Sequence, residues 1–223
     1  MNAFSQALSI ARKDLAIELR TKESLNSAGA FAVVILLLFS FAFDLSPEET
    51  KDISGGLLWL CFSFAGALVF NRGFAREMPN ECLDALLSSP LSAASLVIGK
   101  AITSALLLLV VEAISFFVYG IFYDTNWLKQ PWSLLAVCVF ATWGICVIGS
   151  VFGALTINLR LRELMLPVII YPLLIPLLIA SIEMTNLFLT NQAFNFMWLR
   201  VLLVFDIVFT CLAVALAEII LVN

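Results

Sequence analysis

The chain has 223 residues, of which 62% are hydrophobic and 13% charged, and its formal net charge is −4 at pH 7. A water-soluble domain of this length needs a far more charged surface, so the composition excludes the soluble globular classes. The five cysteines form no CxxC pair and the chain has no histidine, which argues against a zinc site. The sequence therefore predicts an all-α membrane protein with a single transmembrane domain, residues 1–223.

The N-terminal segment, residues 2–22, predicts an amphipathic helix at the membrane surface. Its apolar residues recur at three- and four-residue spacing, and its basic residues fall largely elsewhere. More than twenty polar-rich residues precede the first apolar run, so no cleavable signal peptide is expected. The alternative is a cytoplasmic tail with chance periodicity. The apolar stripe consists of Phe4, Leu8, Ala11, Leu15 and Leu19.

Six apolar runs follow, each close to or above the roughly 20 residues that cross a bilayer as a helix. They predict six transmembrane helices joined by short connections. The runs are Ser24–Phe43, Ile53–Phe70, Leu96–Tyr123, Trp132–Asn158, Leu164–Ile182 and Leu199–Val222.

The longest polar interruption, Asn71–Lys100, separates the second and third runs. Pro79 suits the first turn of a short helix, and Ser88-Ser89-Pro90 provides a stop. A short amphipathic helix is therefore predicted over residues 76–90. It is either a docking element for a soluble partner or a surface helix whose leucines are buried against the bundle or lipid. The candidate docking residues are Glu77, Glu81, Leu83, Asp84, Leu86, Leu87 and Pro90.

The distribution of Lys and Arg predicts the orientation, because short loops rich in these residues stay in the cytoplasm. Nine of them fall on one side of the membrane and three on the other, where the first loop is also acidic. Both termini and the 76–90 segment are therefore predicted to be cytoplasmic. The nine are Arg12, Lys13, Arg20, Lys22, Arg72, Arg76, Lys100, Arg160 and Arg162, and the three are Lys51, Lys129 and Arg200.

Two carboxyl groups fall within apolar runs: Glu112 midway along the third, and Asp206 nearer the outer end of the sixth. A carboxylate in the bilayer is costly unless it is paired, protonated or hydrated, so such residues usually face a bundle interior or a cavity. These two residues predict either a polar lining for a substrate or proton pathway, or structural groups that are hydrogen-bonded within the bundle.

The fifth run contains Pro167, Pro172 and Pro176 together with Tyr171. Proline removes a backbone hydrogen bond, so a bent helix is predicted, either a moving or pathway-lining one or a static kink. The segment after it, Glu183–Trp198, is expected to form short helices that dip into the outer leaflet and could receive a partner membrane protein. In the fourth run, Gly149-x-x-x-Gly153 predicts close helix packing.

Several catalytic classes have no matching motif. Gly99-Lys100 is preceded by Ala94 where a P-loop needs its first glycine, and Ala101 follows where it needs Ser or Thr. Without histidine, HExxH metalloprotease and Ser-His triad chemistry are excluded. The sequence therefore predicts neither an enzyme nor a cofactor or metal held by this chain itself.

Short motifs occur in order along nearly the whole chain. They are Arg12-Lys13-Asp14-Leu15 with Glu18 and Arg20, Phe70-Asn71-Arg72-Gly73-Phe74 with Glu77, Leu86-Leu87-Ser88-Ser89-Pro90, Gly99-Lys100, and Leu159-Arg160-Leu161-Arg162-Glu163-Leu164 followed by Leu166-Pro167, Pro172 and Pro176. In this order and spacing, the chain resembles the cytochrome c maturation protein B family, the haem-exporter permease subunit of bacterial ABC systems.

The resemblance implies a type-2 ABC exporter fold in a bacterial inner membrane, in which two copies of this chain pair with two ABC ATPase subunits that bind the ATP. It also implies a haem-handling membrane protein and a small single-span subunit as partners; no nucleic acid is expected. Residues 76–90 would be the coupling helix that docks on the ATPase, and haem would be the cargo.

Three functional hypotheses remain open at this point. In the first, haem passes through the chain at a dimer interface or beside the bent fifth span, with Glu112 nearby. In the second, the chain is a mechanical and scaffolding subunit that relays ATP hydrolysis to a haem-loaded chaperone. In the third, the same architecture exports a lipid or polysaccharide.

Overall fold

The computed structural model describes residues 3–43, 47–75, 91–123, 130–156, 162–190 and 196–222. Within these ranges, six helices, the second to the seventh in chain order, are long and apolar enough to span a membrane. The expected all-helical membrane protein with six spans and an N-terminal helix is confirmed. The seven helices of the described residues are α1 (Ala3–Thr21), α2 (Glu23–Ala42), α3 (Pro47–Ala75), α4 (Ala93–Phe122), α5 (Pro131–Leu155), α6 (Arg162–Leu189) and α7 (Phe196–Val222).

The polar interruption is shorter than the sequence suggested. α3 continues to Ala75, and α4 begins at Ala93, where the Ser92 hydroxyl accepts from the Ser95 amide as an N-cap. Lys100, expected to belong to the loop, is therefore a residue of the first two turns of α4. The predicted docking helix, residues 76–90, lies outside the described residues.

α3 and α5 form the centre of the bundle, and α2 and α7 lie at its periphery. In α3 and in α5, 72% of the most apolar stretch of the helix is buried, compared with 17% in α2 and 22% in α7. A Cβ added at Gly149 would collide with the Phe70 ring, so the glycine lets α5 receive a bulky side chain of α3. The packing predicted from Gly149-x-x-x-Gly153 is thus, at Gly149, a contact within one chain.

α1 does not present its whole predicted apolar stripe to the membrane. Phe4, Leu8 and Leu19 are exposed as expected, but Ala11 is buried and Leu15 packs against the core. The reason is the close approach of α1 to α4: a Cβ at Gly99 would lie 2.8 Å from the Ala7 carbonyl oxygen. Small side chains bring these helices together, so the inner edge of the stripe is covered by protein.

The C-terminal end of the fifth span also differs from the prediction. α6 continues to Leu189, so residues 183–189 belong to the span and do not form separate short helices. Met184 and Phe188 are buried in the core, which keeps this last part of the helix in the bundle. At the other end of the predicted segment, Trp198 lies in the first turn of α7 and packs against the core.

Candidate functional site

Three helices meet at the end of the bundle where residues 76–90 are attached, and we call this meeting point the Lys100 junction. It is formed by α1, the last turn of α3 and the first turns of α4. The Lys100 ammonium lies 2.8 Å from Asp14 Oδ2 and donates to the Gly73 carbonyl oxygen at 2.8 Å. Lys100 is only 4% exposed, so this bond to α1 and α3 is shielded from water. The two helices that flank residues 76–90 are therefore held to each other and to α1.

α1 is fastened to α4 at a second level, near its N-terminus. The Ser95 hydroxyl donates to the Ala3 carbonyl oxygen at 2.9 Å, and the Ser92 amide donates to Gln6 Oε1 at 3.3 Å. Together with Lys100 and Asp14, these contacts attach α1 along most of its length to the start of α4.

Glu18 joins α1 to the first span. Lys22 between the two helices has a left-handed backbone, with φ 54° and ψ 18°, and its side chain does not cap α2. The Glu18 carboxylate accepts instead from the amides of Ser24 at 2.7 Å and Leu25 at 3.0 Å. Glu18 is 2% exposed, so a buried acidic side chain supplies the N-cap from the preceding helix.

At the opposite end of the bundle, α3 is fastened to α6. The Gly55 amide donates to Asn186 Oδ1 at 2.8 Å, and the Trp59 indole donates to the Thr185 hydroxyl at 2.9 Å. These side chains explain why α6 remains helical past Ile182. α3 is thus a continuous helix that is bonded to α4 at one end and to α6 at the other.

Glu112 is buried between α4 and α5. The Thr142 hydroxyl bonds to its Oε1, and the Cys138 thiol lies beside the carboxyl. It lines a cavity of about 390 Å³ between these two helices. Glu112 and Tyr171 line different cavities, and a place for Glu112 near a haem route stays a prediction.

Asp206 on α7 faces α5 where that helix has a glycine. A Cβ at Gly144 would lie 2.6 Å from Asp206 Oδ1, so Gly144 makes room for the carboxyl. Asp206 lines a cavity of about 580 Å³ between α4, α5 and α7. Both predicted intramembrane carboxyls thus line cavities. The residues that line these cavities belong to α4, α5 and α7, and none belongs to the proline-containing helix α6.

Tyr171 and Pro172 line a third cavity, of about 420 Å³, which we call the α3–α6 groove. The Tyr171 ring contacts that of Phe64 with centroids 5.0 Å apart. Pro167, Pro172 and Pro176 all lie inside the continuous helix α6, the last two with exposed side chains. The bend expected from these prolines stays a prediction.

The sequence reasoning missed the roles of Asp14 and Lys100. Both are parts of the sequence motifs, and Lys100 is also among the basic residues that predict the orientation, but the sequence analysis does not pair them. One signal was available, since a lysine followed directly by a long apolar run needs an acceptor when that run is buried. The partner could not be found in the same way, because Asp14 and Lys100 are 86 residues apart in the chain, with α2 and α3 between their helices.

The comparisons with known proteins agree with one another. The family model described as CcmB protein matches residues 5–222. A curated protein of Paracoccus denitrificans named "Heme exporter protein B" is 28% identical over 171 residues, 77% of this chain and 78% of its own. A protein of the same name from Rhodobacter capsulatus is 29% identical over 177 residues, which are 78% of this chain and 79% of its own. Another from Pseudomonas aeruginosa is 28% identical over 182 residues, which are 80% of this chain and 78% of its own.

Proposed function

Because the chain belongs to the CcmB protein family, we propose that it is a membrane subunit of a haem exporter. The relatives named for haem export and the six apolar helices support this proposal. We extend it to a complex that serves c-type cytochrome biogenesis in the inner membrane, with two copies of this chain, a haem-handling protein and a small single-span subunit. Both termini would be cytoplasmic, as the distribution of Lys and Arg predicts.

The Lys100 junction supports the second part of the proposal, that a separate ATPase drives this subunit by docking on residues 76–90. Lys100 holds the helices on both sides of that segment against α1. A displacement of residues 76–90 by an ATPase would then move α1, α3 and α4 together, since none of them is free to yield alone. The ATP would be bound by the ATPase, and this chain would have no enzymatic role.

The α3–α6 groove favours a route for haem through this subunit. It lies beside the proline-containing helix and is lined mainly by apolar side chains, with the buried Tyr171 hydroxyl as a polar group. Haem is an apolar macrocycle with a polar edge, so a route for it needs mainly apolar walls with a polar group. Export of another amphipathic lipid or polysaccharide would use the same wall, so the cargo must be tested directly.

A mechanical relay is the second candidate, and α3 is the observation that favours it. This helix is bonded near its inner end through Gly73 and near its outer end through Gly55. It could pass a cytoplasmic push to the outer end of α6, where a haem-loaded chaperone would be released.

The composition of the complex is tested by purifying the tagged chain in detergent, identifying its partners by mass spectrometry and measuring haem by absorbance. Recovery of a P-loop ATPase with a haem-binding membrane protein is expected. An ATPase recovered without haem or a haem protein would contradict haem export and favour another cargo. Loss of c-type cytochromes on deletion of the gene is the matching result in cells.

Filling the α3–α6 groove distinguishes a haem route through this subunit from a mechanical relay. Ile175→Trp adds bulk to the α3–α6 groove, while Ile179→Trp places the same ring one turn away, outside the groove lining. If haem uses the groove, only Ile175→Trp lowers covalent haem in c-type cytochromes while ATP hydrolysis continues. Equal haem attachment in both variants would exclude this route and support the relay.

A further inference from the structure

Two buried carboxyl groups of the bundle have oxygens with no hydrogen-bond partner among the described residues. Glu112 is 2% exposed, and its Oε2 is one of these atoms; Asp206 is 7% exposed, and both of its carboxyl oxygens are. Buried polar atoms in proteins are almost always satisfied, and the demand is greater within a bilayer because lipid chains cannot donate hydrogen bonds. Donors from outside this part of the chain are therefore required.

The two cavities beside these carboxyls form one elongated groove, the α4–α5 groove. Leu109 lines both, joining the part beside Glu112 to the part beside Asp206. Along α4 the lining extends from Ile102 to Phe116, which is about 21 Å at roughly 1.5 Å per residue. The groove thus follows the bilayer normal for about two-thirds of a hydrocarbon core of roughly 30 Å.

Both carboxyls lie at a similar depth. Glu112 is ten residues before the outer end of α4 at Phe122, and Asp206 is ten residues after the outer end of α7 at Phe196. Ten residues correspond to about 15 Å, which is near the middle of the membrane. One membrane-spanning helix in the groove could therefore reach both carboxyls from a single turn, while its apolar side chains cover the walls.

A second copy of this chain does not supply the complementary charge. Every Lys and Arg of α2 to α7 lies within the first or last eight residues of its helix. Lys100, the furthest from an end, is already bonded to Asp14 and Gly73. A basic donor at this depth would therefore come from a different subunit.

We propose that the α4–α5 groove is the docking site for a transmembrane helix of another subunit, and that this helix carries a lysine or arginine at the depth of Glu112 and Asp206. Charge complementarity within an apolar groove selects this occupant, because a lipid tail would leave both carboxyls unsatisfied. The proposal concerns assembly and does not depend on which cargo is exported.

The test is photo-crosslinking in membranes that contain the whole complex. A benzophenone amino acid replaces Val139, which lines the groove and is 43% exposed. The matched control replaces Val34 of α2, which is outside the groove and 51% exposed. We expect the Val139 adduct, but not the Val34 adduct, to map to a spanning helix of another subunit with Lys or Arg within a turn of the linked residue. Adducts with lipid alone, with a second copy, or with a helix without a basic residue would overturn the proposal.

The carboxyls are tested in the same assay with Glu112→Gln and Asp206→Asn combined. The adduct yield is expected to fall at least about tenfold, because a buried charge pair would lose one partner. Glu218→Gln, which changes an exposed carboxyl of the same helix α7, should leave the yield unaltered. An unchanged yield in the double variant would refute the role of the carboxyls. If the double variant does not accumulate in membranes, the mapped adduct of the unsubstituted chain decides the proposal.

Discussion

Lys100 shows at the scale of one residue how a charge can hold helices together at the membrane boundary. Its ammonium is bonded to a carboxylate of α1 and a carbonyl of α3, and it is almost fully buried. Removing one partner of such a pair is far more damaging than the net stabilisation that the pair contributes, because the other charge stays buried and unsatisfied.

Lys100→Met is therefore expected to lower the free energy of unfolding by about 3 kcal/mol, since it leaves the Asp14 carboxylate and the Gly73 carbonyl without this donor. Lys13→Met is the matched control. Lys13 also contacts Asp14, at 3.2 Å, but its side chain is 42% exposed, so a change below about 1 kcal/mol is expected. Equilibrium unfolding in mixed micelles measures both. Similar losses in the two variants would contradict the importance of burial.

Glu18 provides a second prediction at this scale. Glu18→Ala removes the side chain that caps α2 and should destabilise the protein by about 1–2 kcal/mol. Glu23→Ala changes a 63% exposed side chain at the same helix end and should have a smaller effect. Hydrogen exchange of the Ser24 and Leu25 amides should accelerate in the first variant only. Unchanged exchange at these amides would exclude the cap.

At the scale of elements, α1 is a packed component of the bundle, although three residues of its apolar stripe are exposed. The Ala7 carbonyl oxygen and the Ile10 side chain of α1 lie so close to Gly99 that a side chain on α4 at this position would push the helices apart. The attachment of α1 therefore depends on a missing Cβ as much as on the Asp14–Lys100 pair.

Gly99→Ala should destabilise the protein by about 1–3 kcal/mol, because the methyl group collides with the α1 backbone. Gly29→Ala is the control, since a Cβ there meets no atom within 4 Å. It should be neutral or stabilising by up to about 1 kcal/mol, as expected for replacing a glycine inside a helix. Thermal denaturation in detergent compares the two, and equal midpoints would refute the close approach.

The helices could be predicted from sequence much better than their contacts. Each of the six long apolar runs is expected to form a helix in a bilayer, because a helix bonds its backbone groups within its own segment and lipid cannot bond them. The faces of α1 could not be predicted, since periodicity separates polar from apolar sides but does not distinguish lipid from a neighbouring helix. The sequence predicts that Glu112 and Asp206 face the bundle interior or a cavity, because an unpaired carboxylate is costly in lipid. It does not predict which helices line those cavities, because that depends on how the helices pack.

At the scale of the whole molecule, the proposal that an ATPase docks on residues 76–90 leads to a further prediction. Leu83→Asp or Leu86→Asp should prevent ATPase recruitment while the chain still inserts in the membrane, because a charge replaces an apolar contact. Asn80→Asp adds the same charge at a position that is already polar and should leave recruitment intact. Co-purification of the ATPase with each variant is the measurement. Normal recruitment by both leucine variants would contradict the docking assignment.

The single-residue joint between α1 and α2 has a consequence for how this protein can vary. Only Lys22 separates the two helices, and its left-handed conformation sets the angle at which they meet. An α-helix turns about 100° per residue, so one inserted or deleted residue between Asp14 and Lys22 would rotate Asp14 away from Lys100. The same change would displace Glu18 or the amides that it caps. The length of this segment is thus fixed more strictly than its composition, and in homologous chains side chains here should change far more often than the number of residues.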